Sequence, residues 1–275
     1  MLIYPNQFPT SIAASSTLLT VCVAHTGALA GISCAKFDPL TGISPFDALR
    51  PFALQQSNPP TGPLNGIGST FFTPDSTALI TTVKGNPKAP VPGSLPGFIS
   101  MFPVIDAVAG AVGTTNNQNT PPGTAVLFGT VPIPGTTKIL ATDASFGALI
   151  LDLSDPTMTP LSTTPLPKQK ATCWSTISQS TGTGFVTDVG VNRLVEMDLE
   201  TGAVVGEVNS RNGNPGMLDL QASGVMLYAM APGNGSTAAS VAVFDVSGGR
   251  GTGREVQNFG VQGMDNRAMG MAFFA

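Results

Sequence analysis

The chain is patterned in short apolar runs that alternate only in part and are separated by polar turns, and no stretch holds a 3.6-residue period. Runs of this length, rich in Val, Ile, Leu, Phe and Thr, predict strands. Five of them close on an apolar residue followed by Asp: Phe37-Asp38, Ile105-Asp106, Leu151-Asp152, Met197-Asp198 and Phe244-Asp245. The Asp-to-Asp intervals are 68, 46, 46 and 47 residues. The first is read as long because the Gly- and Pro-rich segment Gly85 to Gly97 is inserted in that unit.

A second marker keeps the same phase. A polar turn leads into a short apolar strand at Ser16-Thr17 before Leu18 to Val23, at Pro74-Asp75-Ser76 before Leu79 to Val83, and at Gly135-Thr136-Thr137 before Ile139 to Thr142. The pattern returns at Thr181-Gly182-Thr183 before Phe185 to Thr187 and at Ala222-Ser223-Gly224 before Met226 to Met230. Ahead of each turn lies another strand: Ser11 to Ala14, Ser69 to Thr73, Val126 to Val131, Cys173 to Ser178 and Met217 to Leu220. Each unit therefore reads as strand A, turn, strand B, hairpin, strand C ending in the apolar-Asp pair, turn, strand D. A lone four-stranded sheet buries little, so such units must pack face to face. The reading is all-β: a β-propeller of four-stranded antiparallel blades, about five of them complete, in a single domain over residues 1–275. The tail Ala268 to Ala275 reads as one extra C-terminal strand.

Composition agrees with turn-rich β structure. The 32 Gly and 24 Pro leave little room for a long helix. Charged residues make up only 10% of the chain, against roughly 25% in an average globular protein, so Ser, Thr, Asn, Gly and Pro must dominate the surface. The net charge is −4 and the 12 basic residues are scattered, which argues against nucleic acid or an anionic membrane as partner. Met1 to Ala35 carries no Asp, Glu, Lys or Arg, yet it lacks a basic leader region and is broken by Pro5, Pro9 and polar residues. Two strands of a blade fit it better than a signal peptide or a membrane span.

Cys22 and Cys34 flank a hairpin, and spacing leaves two readings open: a cross-strand disulfide, which would imply an oxidising compartment, or two small buried apolar residues. Asn234-Gly235-Ser236 is a glycosylation sequon, meaningful only in a secreted chain.

Val21-Cys22-Val23 with Gly31-Ile32-Ser33-Cys34, Phe72-Thr73-Pro74-Asp75 leading to Val83-Lys84-Gly85, Ile139 to Asp143, Ala171-Thr172-Cys173-Trp174-Ser175 and Val186-Thr187-Asp188-Val189-Gly190 carry a family likeness. Through them the chain resembles the fungal 3-carboxymuconate cyclase-like propeller family, relatives of the seven-bladed lactonase propellers. That resemblance implies secretion and a chain lacking roughly two N-terminal blades. An incomplete ring would expose strand edges and apolar blade faces and favour self-association. The family name implies lactonisation or lactone opening, chemistry that uses a general acid or base with cations to hold carboxylates.

The residues themselves point less firmly to catalysis. His25, the one histidine, falls in the hairpin between strands B and C of the first unit, where a solvated or local hydrogen-bonding role is the ordinary one. Asp143 and Asp188 each follow Thr at the end of a strand B, a repetition that favours turn capping over metal or acid–base work. Arg193 and Glu196 read as a surface ion pair, or else as a carboxylate site near Asp188. Trp174 is expected to pack between blades or to line the channel. The basic run Arg250-Gly251-Thr252-Gly253-Arg254 reads as a solvated turn. No phosphate loop, zinc-spaced cluster, calcium loop or dinucleotide fingerprint is present in the sequence, so no metal or cofactor is expected.

In a propeller the B–C hairpins and D–A connections emerge on one face, and the longest irregular segments, Gly85 to Gly97, Ala109 to Gly123 and Ala231 to Ala239, are assigned to it. Variable loops on a rigid scaffold are where binding usually resides. The expectation is a binding or scaffold module that takes a small molecule, glycan or protein near Lys84, Asp143, Trp174, Asp188 and Arg193. The alternatives are a lactonase or carboxymuconate-cyclising enzyme, or an inactive fragment.

Overall fold

The computed structural model describes residues 8–86 and 96–272. Among these residues there is no helix, and the strands form five successive antiparallel sheets.

The first sheet holds β1 (Phe8–Ser15), β2 (Thr20–Thr26) and β3 (Gly31–Asp38), with an outer edge split between β4 (Gly42–Ile43) and β5 (Arg50–Pro51). The second holds β6 (Ile67–Phe72), β7 (Ala78–Val83) and β8 (Phe98–Asp106), with β9 (Ala111–Val112) and β10 (Asn117–Asn119) both pairing with β8. The third is β11 (Leu127–Pro132), β12 (Lys138–Asp143), β13 (Gly147–Asp152) and β14 (Ser162–Pro165). The fourth is β15 (Thr172–Ser178), β16 (Thr183–Asp188), β17 (Arg193–Asp198) and β18 (Val204–Asn209). The fifth is β19 (Asp219–Ser223), β20 (Met226–Ala231), β21 (Ser240–Asp245) and β22 (Arg254–Gly260). Strand order follows chain order, the meander of a propeller blade.

Every strand C ends on the Asp of the repeat, and that Asp closes the next turn. The carboxylate of Asp38 accepts the N–H groups of Leu40 and Thr41, and that of Asp106 accepts Ala109 N–H. Asp152 takes Ser154 N–H, Asp198 takes Glu200 and Thr201, and Asp245 takes Ser247. An ionised carboxylate held by such donors titrates low. Thus the Thr41 N–H holds Asp38 below the ordinary range, the Thr137 hydroxyl does so for Asp152, the Thr201 N–H for Asp198, and Ser247 for Asp245.

The chain divides into two compact units, one reaching Phe128 and including Pro156–Met158, the other holding Gly129–Asp155 and Thr159 onward. In the first unit the two sheets bury Cys22, Ala24, Ile32, Ile67, Leu79, Val83, Phe98 and Phe102 against each other. Phe52, following β5, meets Phe98 edge-on at 5.7 Å between ring centroids. Buried Arg50 ties the sheets together: its Nε and Nη2 donate to the carbonyls of Gly113 and Val112, while Asp47 takes the rest of the fork at 2.7 Å. Cys22 and Cys34 stand directly opposite in the β2–β3 ladder with Cα atoms 4.0 Å apart, and their sulfurs are bonded.

Inner strands come into backbone contact through glycine. A Cβ on Gly68 would lie 2.8 Å from Phe128 O, and one on Gly129 would lie 2.6 Å from Cys173 O and 2.7 Å from Trp174 Cα. A strand-B threonine bridges each approach. Thr82 Oγ1 receives Ser69 N–H and donates to Phe128 O at 2.7 Å; Thr142 Oγ1 receives Gly129 N–H and donates to Cys173 O.

Three expectations are corrected. Ala268–Ala272 forms no strand: its backbone is fastened instead by Met271 N–H, which donates to Asp219 Oδ2 at 2.7 Å, and residues 273–275 lie outside those described. Ala109 to Gly123 is not one irregular loop, because β9 and β10 inside it pair with β8 and Ala109-Gly110 belongs to the opposite, C–D end. The long first interval is shared between the Gly85 to Gly97 insertion and the extended run from Asp38 to Ile67 that carries the split outer edge; residues 87–95 lie outside those described.

Candidate functional site

The B–C hairpins and D–A connections leave the sheets at the end where strands A begin, and the candidate residues lie there. In the fourth sheet two of them brace one connection. Asp188, the last residue of β16, accepts Lys170 N–H at 2.8 Å, Ala171 N–H at 3.2 Å and Gly190 N–H at 2.9 Å. Arg193, the first residue of β17, donates Nη2 to Pro167 O at 2.6 Å and pairs through Nη1 with Glu207 at 2.9 Å. Both side chains are buried, 3% and 5% exposed, so they bind the 167–171 connection to the hairpin rather than standing open to a ligand.

Arg193 and Glu196 do not pair. Residues three apart on a strand point to opposite faces. Glu196 is 1% exposed and accepts the Thr183 hydroxyl at 2.7 Å and Gly251 N–H at 2.8 Å. The Arg250 to Arg254 run is the C–D turn of the fifth sheet, at the other end, where Arg250 pairs with Asp198 at 2.5 Å and Arg254 with Asp245 at 2.7 Å.

Asp143, fully buried at the end of β12, receives Ser145 N–H at 2.9 Å and the Ser145 hydroxyl at 2.5 Å. His25 holds the matching place in the first sheet, since His25 pairs with Gly31 as Asp143 pairs with Gly147. It therefore sits in the ladder and not in the hairpin. Burial lowers its pKa, and its Nδ1 is enclosed without a partner. Trp174 lies on a register shift of β15, where its N–H meets Thr187 Oγ1 at 2.9 Å and its ring packs against the core that includes Phe185, Leu194, Met217 and Leu220. Lys84 belongs to the first unit, forms a β-bridge with Val126, and places Nζ 4.6 Å from the centroid of the Phe128 ring.

One titratable group escaped the sequence reading. Asp219 opens β19 and is 5% exposed, and burial raises its carboxyl pKa despite the N–H groups of Met271 and Leu220. The available signal was a carboxylate between Leu218 and Leu220 on an inner strand. Asn234 lies in the β20–β21 hairpin, where its Oδ1 accepts Ser236 and Thr237 N–H and the Ser236 hydroxyl. Among the described residues no group of three or more His, Cys, Asp or Glu side chains is placed to hold a metal.

No protein-family model matches the sequence, and no curated protein matches it. Solved structures do. A Bacteroides uniformis protein provisionally assigned as a 6-phosphogluconolactonase superposes with a TM-score of 0.67 at 18% identity, covering 92% of this chain and 72% of that one. The periplasmic gluconolactonase of Pseudomonas aeruginosa gives 0.69 at 13% identity, covering 94% and 73%. A chain of a nidogen/laminin complex gives 0.64 at 13% identity, covering 98% and 86%. At such identities the likeness reports fold, and a fold does not carry its function with it. The chain is thus an all-β protein of the propeller class, similar in its sheets to lactonase-type structures.

Proposed function

We propose that the protein is a binding module that recognises a small molecule, glycan or protein through the loop-bearing ends of its sheets. The observation that carries this reading is the commitment of Asp143, Asp188 and Arg193 to backbone partners of the surrounding turns. Charged groups used as braces make a rigid platform, and recognition then falls to loop shape and uncharged groups. The bonded Cys22–Cys34 pair and the sequon at Asn234 favour a secreted protein. Exchanging the β20–β21 hairpin residues 232–238 for a short Gly-Ser turn should abolish capture of the ligand found by screening glycan and peptide arrays, while leaving the fold intact. Undiminished capture by that variant sinks the reading.

A second reading, lactone opening or the carboxymuconate-cyclising reaction, is favoured by one feature: the carboxyl of Asp219, raised by burial as a general acid or base requires. Proteins of similar fold carry gluconolactonase names, which selects gluconolactone and 6-phosphogluconolactone as the substrates to try. Protein-dependent turnover that disappears in Asp219→Asn would establish this reading in place of the first.

A further inference from the structure

A cleft of about 550 Å³ runs between β18 and β22, the outer strands of the fourth and fifth sheets, within the second compact unit. At the preceding junction the outer edge is shut: Thr164 Oγ1 donates to Gly202 O at 2.7 Å, and a Cβ on Gly202 would strike Ser162. The cleft is fixed at both ends. At one, Arg250 pairs with Asp198 and Gly251 N–H donates to Glu196. At the other, Glu255 accepts the Ser210 hydroxyl at 2.5 Å and the Asn212 amide at 2.9 Å, and Asn214 Nδ2 reaches Asn258 Oδ1 at 3.3 Å. Behind this second brace two buried polar atoms, Asn192 Oδ1 and Arg193 Nε, have no partner.

We propose that this cleft binds a neutral polyhydroxylated ligand, a segment of an oligosaccharide. Its lining balances in charge: Arg193 neutralises Glu207 and Asp245 neutralises Arg254, which leaves Arg211 against Glu255. Neither an anion nor a cation is therefore preferred. Asn209, Gln257 and Asn258 add side-chain amides, each able to donate and to accept, between the carboxylates. Vicinal hydroxyls, which also donate and accept, match such a surface, and the exposed aliphatic side chain of Val256 offers contact to sugar C–H groups. Walls already held apart spare the ordering cost that weakens most polar sites. The cleft meets the loop-bearing end only at Arg211 and the 210–214 brace; its walls are the outer strands, and the proposal does not depend on that reading.

The test is a titration of isotope-labelled protein with maltotriose, laminaritriose, cellotriose and diacetylchitobiose at millimolar concentration. At least one probe should give saturable shifts of the Asn209, Gln257 and Asn258 side-chain amides. Gln257→Ala and Arg211→Ala should each weaken that probe about tenfold, or about 1.4 kcal/mol, as expected for one or two lost hydrogen bonds, with thermal melting unchanged. Absence of saturable shifts with all four probes, undiminished affinity in both variants, or tighter binding of gluconate than of any neutral probe would overturn the proposal.

Discussion

The two ends of the sheets follow different rules. Where strands C finish, all five sheets place Asp and all five use it alike, to accept the N–H groups of the following turn. At the other end, the strand-B place that holds His25 in the first sheet holds Asp143 in the third, and the strands B close on Val83, Asp188 and Ala231 in the second, fourth and fifth. The connections there also differ in length from sheet to sheet. Uniformity marks the end whose turns share one capping role. Variation marks the end that is free to specialise.

The strongest way to stress this scaffold is at its inner contacts. Gly129→Ala would drive a methyl into Cys173 O and Trp174 Cα, and urea unfolding should register a loss of about 3 kcal/mol. Unchanged stability would mean that the inner strands are not held in backbone contact. Next in size is Asp198→Ala, which removes two N–H partners and the Arg250 pair, for a loss of about 1 kcal/mol by the same measurement. Cutting back the tip of the β20–β21 hairpin at residues 233–236 should change stability by less than about 0.5 kcal/mol, since it lies at the permissive end.

Acid should separate the two kinds of carboxylate. Asp38, Asp152, Asp198 and Asp245 titrate below their unfolded value, so their contribution is present above about pH 4 and is lost as pH falls through the folded values. Asp219 has the opposite sign. Its folded pKa is raised, so its contribution is complete when the carboxyl is protonated and is lost as pH rises through the folded value. Asn keeps one acceptor where the carboxyl serves the N–H groups of both Leu220 and Met271, so the sign is read from the slope: the melting temperature of Asp219→Asn minus that of the parent should rise from acid to neutral pH. A difference that stays constant or falls as pH rises would contradict this assignment.

The repeat made the C–D end legible from sequence, because an apolar-Asp step is both a strand terminus and a turn cap and so leaves its mark five times. Elements without a repeated local signature were harder. The tail at Ala268–Ala272 is apolar enough to read as a strand, but strand formation needs a partner, and Asp219 fastens the backbone instead. Arg193 and Glu196 looked like a pair by spacing, until strand geometry turned them to opposite faces. Arg50, Asp219 and the cleft between β18 and β22 depend on contacts between segments far apart in the chain, which periodicity does not record.

The most direct measurement is hydrolysis of gluconolactone and 6-phosphogluconolactone by folded protein at neutral pH, run beside Asp219→Asn. A platform whose charged residues serve as braces predicts a rate equal to that of buffer alone for both proteins. Turnover by the parent that vanishes in the variant would contradict it.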